Sequence, residues 1–450
     1  MKKRSWIRFA AYAFFAANLV VSGVIWWHGS SFYVLHAYPG SLFIAYGRLS
    51  GLLLQLALLM ELVLIARIGP LERTFGFMTM NKLHRLVGGW LATLIIVHPL
   101  LLVLGYGGYA PADAWSQFLS FLTSWEDVSL ALFGTIVLLI AAVLSAPMIR
   151  RRMPYGVWHL FHLGMYVAAV CVFFHQIVAG DFSGSSLAIW YWIAVNAFVI
   201  GAVTIYRVCL PIGRLWYYGF TVKDVIDEGE GVTSIVITGR HLDRFRFEAG
   251  QHAKLSFLKR HLWAPHPFSF SAAPNGTSLR FSIKALGDFT KRIPTLTPGT
   301  RVIIDGPLGA FTASNAETKK LLLVAGGIGI TPLFSMFASA SSSERDVTLL
   351  FAARNATALT FFSELQHMVV AHSNLHAVCF IAEGEDPPAA PGMVVQHGFI
   401  NEVAIRRLVP DAAERDAYVC GPPKMMDGIN QALLAIGVPL RRIHDERFSF

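Results

Sequence analysis

The sequence contains little cysteine and little charge. Its four cysteines, Cys171, Cys209, Cys379 and Cys420, form no CxxC pair and no metal-ligand spacing, which excludes a disulfide framework and a cysteine-ligated zinc site. Only 14% of the 450 residues are charged, whereas 54% are hydrophobic. That balance is too apolar for an ordinary soluble protein, so part of the chain is predicted to lie in a membrane.

The apolar residues are unevenly distributed, because nearly all long apolar runs precede Leu210. About 20 apolar residues span a bilayer, and the chain has six such runs. Their approximate limits are 8–27, 41–66, 83–106, 128–149, 157–179 and 186–210. The sequence therefore predicts an all-α six-helix transmembrane bundle, followed by roughly 230 residues that are enough for two compact soluble modules.

Three of the connecting loops, 28–40, 107–127 and 180–185, contain no Lys or Arg. Their charged residues are Asp113, Glu126, Asp127 and Asp181. Basic residues lie at the opposite ends of the runs, at Lys2, Lys3, Arg4, Arg67, Arg73, Lys82, Arg150, Arg151, Arg152, Arg207 and Arg214. By the positive-inside rule, both termini and the soluble half are predicted to be cytoplasmic, in an integral plasma (inner) membrane protein. Much of the net charge of +9 is thus explained without a nucleic-acid partner.

Four histidines are spaced along two of the apolar runs. His84 and His98 are fourteen residues apart, about 21 Å and 3.9 turns along a helix, and His162 and His175 are thirteen apart, or about 20 Å. Both runs cross outward, so His84 faces His162 at one depth and His98 faces His175 at another. This pattern predicts two b-type haems, each with histidine on both sides of its iron. The alternative is a helix-to-helix hydrogen bond or a pore lining.

The fifth run fits this arrangement imperfectly. Thirteen residues leave the rings of His162 and His175 about 140° apart on an ideal helix, so a bulge or a side-on approach is required. His159 is no better in angle and lies closer to the cytoplasmic edge. We therefore predict His162 as the ligand and His159 as a residue beside the haem that does not bind iron.

Arg48 is a charged residue inside the second run, near its outer end. A charge in a span is costly and is usually functional. Arg48 could neutralise a haem propionate or attract an anion, and it is a candidate catalytic residue. The alternative is that its side chain extends to the outer interface.

The soluble half changes pattern part-way. Short strands separated by Gly and Pro turns, from Trp216 to about Leu308, predict a small antiparallel barrel. From Lys319, strands alternate with helices and predict an α/β doubly wound domain. GGIGITP, residues 326–332, joins a strand to a helix, where glycines and free N–H groups favour a phosphate. A tight turn without a ligand is the alternative, and HPFSFSAAP, residues 266–274, could lie along a flavin or be an ordinary edge strand.

Together these motifs resemble the ferric reductase / NADPH oxidase superfamily. The matching segments are HRLVGG, WHLFH, HPFSFSAAP, KALGDFT, DGPLG, GGIGITP, CGPPK and the terminal ERFSF. The closest likeness is to compact bacterial NADPH oxidases. The resemblance implies a di-haem transmembrane domain over 1–215, an FAD-binding barrel over 216–315 and an NAD(P)H-binding domain over 316–450.

The resemblance also implies roles for single residues. Those lining the isoalloxazine and ribityl chain of FAD are His266, Pro267, Phe268 and Ser269. Those at the flavin pyrophosphate are Lys284 and Thr290. Those at the nucleotide pyrophosphate are Gly326, Gly327, Gly329 and Thr331. Those beside the nicotinamide are Cys420, Gly421 and Pro422.

Two further positions carry expectations of their own. Phe450 matches the terminal aromatic that covers the flavin ring and moves when nicotinamide stacks, so Phe450 and Cys420 are candidate catalytic residues. Arg354 could pair with a 2′-phosphate, because its guanidinium presents a fork suited to phosphate. A solvated loop arginine is the alternative, and NADPH and NADH both stay open as the substrate.

The implied activity is electron transfer from cytoplasmic NAD(P)H through FAD and two haems to an external acceptor. Histidines on both faces leave the outer iron no coordination site, so oxygen would be reduced at the haem edge to superoxide. Short outer loops without an obvious iron site favour oxygen over a ferric chelate, which is the alternative acceptor. A partner protein on the outer face is another alternative acceptor. A different class of function, a transporter or proton channel, is disfavoured by the lack of internal repeats. The sequence has no EF-hand DxDxDG loop, so calcium regulation is not expected. It has no long cytoplasmic insertion, so no obligatory soluble activators are expected.

Overall fold

The computed structural model describes residues 2–36, 39–66, 68–108, 111–124, 128–178, 182, 185–387 and 392–447. Arg67, Glu126, Asp127, Asp181 and Phe450, named above, lie outside these residues. The chain divides into two compact units. The N-terminal unit comprises Met1–Leu71 and Thr79–Ile205, and the C-terminal unit comprises Glu72–Met78 and Tyr206–Phe450. The predicted limits of three domains, 1–215, 216–315 and 316–450, stay a prediction.

Helices form the whole regular structure of the described N-terminal unit. They are α1 (Lys2–Leu35), α2 (Ser41–Ile65), α3 (Gly69–Phe75), α4 (Phe77–Tyr106), α5 (Pro111–Ser124), α6 (Val128–Ser145), α7 (Pro147–Arg150), α8 (Tyr155–Val178) and α9 (Ser186–Thr204). The end of α3 and the start of α4, within residues 72–78, belong to the C-terminal unit. Among the described residues, six helical stretches are long and apolar enough to cross a membrane. The predicted number of spans is therefore confirmed, and the protein is an integral membrane protein.

Two spans extend beyond the predicted apolar runs. α1 continues to Leu35, because the polar residues after Trp27 do not prevent intrahelical hydrogen bonding and the first breaker is Pro39. The sixth span passes through a π-helical turn, Ile205–Cys209, into α10 (Leu210–Tyr218). Helix α5 was not predicted, and it lies within the segment 107–127 that was expected to be a loop.

The N-terminal unit has a narrow apolar core. It is formed by Leu54, Leu58, Leu91, Ile95, Leu138, Ala168 and Val172, which come from α2, α4, α6 and α8. α6 packs tightly on α8, since a β-carbon at Gly134 would lie 2.9 Å from a methyl carbon of Val172. Many other apolar side chains of α8, including Leu160 and Val167, are exposed, as expected of surfaces that face lipid.

The first part of the C-terminal unit is an antiparallel barrel. Its strands are β1 (Thr221–Gly229), β2 (Val232–Thr238), β3 (His252–Phe257), β4 (His266–Ser269), β5 (Leu279–Lys284) and β6 (Val302–Leu308). They form two three-stranded sheets, ordered β1-β2-β5 and β4-β3-β6, which are joined by bridges at Thr221–Arg301 and Phe270–Phe281. Apolar side chains of both sheets, among them Phe257, Phe270 and Phe281, fill the space between them.

The second part is a six-stranded parallel sheet in the order β10-β9-β8-β7-β11-β12. Its strands are β7 (Lys320–Gly326), β8 (Asp346–Ala353), β9 (Leu375–Ile381), β10 (Val394–His397), β11 (Asp416–Cys420) and β12 (Ile443–Asp445). Its helices are α11 (Ile330–Ala340), α12 (Phe362–Ala371), α13 (Glu402–Leu408) and α14 (Pro423–Ile436). α11 and α12 cover one face and α13 and α14 the other. The predicted barrel and doubly wound domain are both confirmed.

Candidate functional site

His84 and His162 face each other across the N-terminal unit. Their ring centroids are 6.0 Å apart and the ring planes are inclined by 84°. A metal held by two imidazole nitrogens at about 2.0 Å each separates the ring centroids by about 6 Å. The 6.0 Å separation is therefore compatible with a metal ion held by both imidazoles, and metal or haem binding at this position stays a prediction. Sequence spacing placed the two residues at the same depth, and the structure brings them together.

Each of these two rings is oriented through its Nδ1 atom. The Nδ1 atom of His84 bonds to the carboxylate of Glu61 on α2. The Nδ1 atom of His162 lies 3.3 Å from the Ser145 hydroxyl, and the Trp158 ring stacks on the His162 ring at 4.9 Å. Both Nε2 atoms are thus left for a ligand bond, as in metal sites where a hydrogen bond to the other ring nitrogen fixes the tautomer. Glu61 and Ser145 were not predicted.

His98 is held in a similar way further along α4. Its Nδ1–H donates to the Gly47 carbonyl at 2.8 Å. A β-carbon at Gly51 would lie 2.7 Å from the His98 ring, so glycine at position 51 makes room for the imidazole. His175 lies near the end of α8, and the adjacent Gln176 bonds to Gln55 at 2.9 Å. The pairing of His98 with His175 stays a prediction.

Arg48 lies one residue after Gly47 on α2. Its guanidinium donates to the Gly29 carbonyl at 3.2 Å, to the Tyr106 hydroxyl at 3.1 Å and to the Tyr33 hydroxyl at 3.4 Å. It also lies 4.7 Å from the centre of the Tyr33 ring. Arg48 is therefore held inside the helix bundle by α1 and α4. The proposed anion role and the alternative of snorkelling both remain predictions, but these contacts favour a fixed guanidinium.

The strand HPFS is β4, at the edge of one barrel sheet. The His266 ring stacks on Phe289 at 3.7 Å, and its Nδ1–H donates to the Ala264 carbonyl at 2.9 Å. Burial lowers the pKa of this imidazole, so it is neutral at physiological pH. Pro267 is exposed, Phe268 is half-buried, and the buried Ser269 hydroxyl has no hydrogen-bond partner in the described chain. Contact of these four residues with a flavin stays a prediction.

Lys284 and Thr290 flank the turn after β5. The Thr290 hydroxyl accepts from the backbone N–H groups of Leu286 and Gly287, each at 2.9 Å. It therefore closes the turn that follows Lys284, the last residue of β5. Direct contact of Lys284 or Thr290 with a pyrophosphate stays a prediction.

Glycines meet at the point where the strand order of the parallel sheet reverses. β7 leads into Gly326, Gly327 and Gly329, and the neighbouring strand β11 leads into Gly421. A β-carbon at Gly421 would lie 3.1 Å from the Gly326 α-carbon, so the two loops touch through their backbones. Ligands of doubly wound sheets bind in this crevice, at the carboxyl ends of the strands.

The loop after β7 leaves room for a phosphate. Gly327 has φ +53°, a left-handed conformation that favours glycine, and no atom lies within 4 Å of where its β-carbon would be. The backbone then enters α11 at Ile330, whose N-terminus attracts anions. The Thr331 hydroxyl donates to the Ile328 carbonyl at 3.1 Å and so fixes the loop. Pro422 closes the opposite wall, because its ring lies 2.9 Å from a β-carbon placed at Gly326.

Cys420 and Arg354 occupy different environments. Cys420 is fully buried, and burial together with Glu446 and Asp445 raises the pKa of its thiol well above the usual value. It therefore carries no thiolate at neutral pH, and its backbone rather than its sulfur borders the crevice. Arg354 follows β8, is exposed and pairs with the Glu383 carboxylate. Its guanidinium lies beside the carboxyl ends of β8 and β9.

A buried group of charged side chains was missed by the sequence reading. The Nε2 atom of His252 lies 3.6 Å from the Glu72 carboxylate, and its Nδ1 atom lies 3.4 Å from the Glu446 carboxylate. The side chains of His252 and Glu72 are almost fully buried. Because the three residues are far apart along the chain, no spacing or periodicity could have indicated that they meet.

Comparison with known families matches three segments of the chain. Residues 46–173 match the ferric reductase like transmembrane component, 220–312 match an FAD-binding domain and 323–431 match the oxidoreductase NAD-binding domain. The first segment contains three of the four predicted metal ligands, His84, His98 and His162.

Curated relatives and solved structures are similar to part of the chain. The glycine betaine monooxygenase reductase subunit of Chromohalobacter salexigens is 28% identical over 219 residues, which cover 46% of this chain and 57% of that protein. A flavohemoprotein of Rhodopirellula baltica is 28% identical over 264 residues, covering 55% and 64%. The chain thus spans less than two thirds of either relative. The FAD/NAD-binding domain of a Vibrio cholerae nitric oxide dioxygenase aligns with a TM-score of 0.44 and 23% identity, covering 51% of this chain and 97% of that one.

Six membrane helices joined to FAD-binding and NAD-binding domains define a transmembrane NAD(P)H-dependent oxidoreductase. The chain has the architecture of the ferric reductase / NADPH oxidase superfamily, with a ferredoxin-reductase-like module after the membrane domain. The resemblance read from its motifs is confirmed.

Proposed function

We propose that the protein oxidises NAD(P)H and delivers the electrons through the membrane to oxygen on the opposite, extracytoplasmic face, giving superoxide. The observation that carries the proposal is the 6.0 Å separation of the His84 and His162 ring centroids, between which one haem iron would be held. Bound FAD would take hydride from NAD(P)H and release single electrons, and two haems would carry them. In this proposal the chain's termini and its C-terminal unit are cytoplasmic.

The residues of the chain then have distinct tasks. His84 and His162 would hold one haem, and His98 and His175 the other. His266, Phe268 and Ser269 would line the flavin, with Lys284 and Thr290 near its pyrophosphate. The glycine loop over 326–329 and Gly421 would seat the nucleotide in the crevice between β7 and β11.

Oxygen would be reduced to superoxide at the edge of the outer haem, without binding to its iron. Histidine on both faces of the outer haem would block coordination. Arg48 lies one residue from Gly47, which bonds to His98, so its fixed positive charge would stabilise an anion formed near that haem. Outward electron movement would also be favoured by a negative interior, by about 2.3 kcal/mol per charge for each 100 mV.

A second candidate function is reduction of an external ferric chelate by the same route. It is favoured by the match of residues 46–173 to the ferric reductase like transmembrane component. The two functions share the same proposed residue roles, except that stabilisation of an oxygen-derived anion by Arg48 applies only to the oxidase.

The test is an anaerobic absorption spectrum of the purified full chain with NADPH, followed by air in the presence of cytochrome c. Reduced b-type bands at two haems per chain, and cytochrome c reduction that superoxide dismutase suppresses, would support the oxidase. Reduced haem that is stable in air but oxidised by ferric citrate would support the second candidate. A chain without haem would overturn both.

A further inference from the structure

Glu61 places a carboxylate within a membrane-spanning helix. It lies on α2, and its side chain is buried. A charged group in this environment is costly unless a partner compensates it. One oxygen, Oε2, bonds to His84 Nδ1, and the other, Oε1, accepts no hydrogen bond from the described residues. Among the described residues, the hydrogen bond to the Glu61 carboxylate comes from His84.

His98, on the same helix as His84, has a different partner. Its Nδ1–H donates to a neutral backbone carbonyl, that of Gly47, at 2.8 Å. The two histidines of α4 thus differ in the charge that their Nδ1 atoms face. At His84 the acceptor is a carboxylate, whereas at His98 it is an amide oxygen.

This difference affects any iron bound through Nε2. A carboxylate that accepts the Nδ1 proton makes the imidazole a stronger electron donor, and its negative charge also favours the more positive oxidation state of the iron. Ferric iron is stabilised relative to ferrous iron, and the reduction potential falls. A neutral carbonyl has the same effect more weakly, because a charge-assisted hydrogen bond is about twice as strong as a neutral one.

We propose that Glu61 is a positioning residue that sets the order of the two haem potentials. It lowers the potential of the haem held by His84 and His162 below that of the haem held by His98. One electron then passes from ferrous iron at the first site to ferric iron at the second, with no bond or proton exchanged, in the direction that lowers the free energy. The inference rests on the proposed function, because it requires both haems.

The test is a potentiometric titration of the purified full chain, followed by haem absorption, for the natural sequence and for Glu61→Gln. Glutamine keeps the size and an acceptor oxygen but removes the charge. The lower of the two one-electron midpoint potentials should rise by about 59 mV, which corresponds to a tenfold larger equilibrium constant for reduction of that haem. The haem content should stay unchanged. Glu61→Asp should restore part of the original value. Unchanged midpoints in Glu61→Gln at full haem content would overturn the proposal.

Two further variants keep the result interpretable. Asn18→Ala removes another buried polar side chain of the N-terminal unit, one that bonds to Phe14 and Tyr191 rather than to a histidine. It should leave both midpoints unchanged. His98→Ala should remove the higher midpoint and retain the lower one. If His98→Ala instead loses the lower midpoint potential, the order of the two haem potentials is the reverse of the proposed one and the proposal is overturned. This result holds even if Glu61→Gln fails to fold. Absence of haem from the natural chain would overturn the proposed function.

Discussion

Gly329 approaches Cys420 so closely that a β-carbon at position 329 would lie 2.3 Å from the Cys420 carbonyl oxygen. Gly329 belongs to the loop that follows β7, and Cys420 is the last residue of β11. The order of the sheet reverses between these two neighbouring strands. The obstacle is backbone, which cannot rotate away as a side chain can. The crevice proposed for the nucleotide therefore depends on glycine at this position.

Gly329→Ala should open this contact and misplace the loop. Overpacking of this kind costs about 1–3 kcal/mol, so the melting temperature should fall and NADPH oxidation with ferricyanide as acceptor should drop. Gly428→Ala, within α14 where a β-carbon meets nothing within 4 Å, should leave both unchanged or raise stability. Full activity in Gly329→Ala would contradict the assignment.

His162→Ala should lose about half of the bound haem, because one of the two iron sites loses an axial ligand. His159→Ala should retain both haems, since the ring that lies opposite His84 is that of His162. Pyridine haemochrome assays measure the content. The opposite pattern would show that His159 is the ligand.

Arg48→Leu should slow oxygen reduction about tenfold, which corresponds to about 1.4 kcal/mol of lost anion stabilisation, while haem content stays intact. Tyr106→Phe removes one hydroxyl that accepts from Arg48 but keeps the positive charge. It should retain most of the rate. Dismutase-sensitive cytochrome c reduction is the measurement, and an unchanged rate in Arg48→Leu would remove the anion role.

Arg354→Ala should raise the KM for NADPH about tenfold, equivalent to about 1.4 kcal/mol, and leave the KM for NADH unchanged. The reason is that a 2′-phosphate would use the guanidinium that now pairs with Glu383. Steady-state kinetics with both nucleotides give the answer. Equal changes for NADH and NADPH would indicate a general role in loop structure.

Cys379 should make stability depend on alkaline pH. Burial raises the pKa of this thiol to about 12, against about 8.5 in the unfolded chain. The contribution of this thiol to the free energy of unfolding is complete below the pKa of the unfolded chain. It is lost at about 1.4 kcal/mol per pH unit as the pH rises towards the pKa of the folded protein. Cys379→Ala should therefore flatten the decline in melting temperature between pH 9 and 11. The matched control Cys209→Ala, at an exposed cysteine, should not, and an equal slope in both would refute the account.

The spans and the facing histidines were predictable because each depends on a local property. A run of apolar residues needs no partner to be recognised, and helical geometry alone placed His84 and His162 at the same depth. The doubly wound domain followed from the alternation of strands and helices, whereas the reversal of strand order between β7 and β11 emerged only from the structure. These features repeat along the chain, and repetition is visible in a sequence.

The contacts that tune the site were not predictable. Glu61 stands 23 residues before His84 on another helix, and one acid near the end of an apolar run looks like the end of a span. Ser145 and Gly51 are ordinary residues of spans until packing brings an imidazole beside them. Contacts between side chains on different helices depend on how the helices pack, and the packing cannot be inferred from one sequence alone.

The discontinuous make-up of the C-terminal unit has a practical consequence for anyone who wishes to produce the reductase half by itself. A fragment cloned from Trp216 onward would omit residues 72–78 and 206–215, which pack with that half, and His252 would lose its Glu72 neighbour. Such a fragment would expose a buried imidazole to water and would report on an altered barrel. A faithful excised version would need residues 72–78 grafted back through a designed linker.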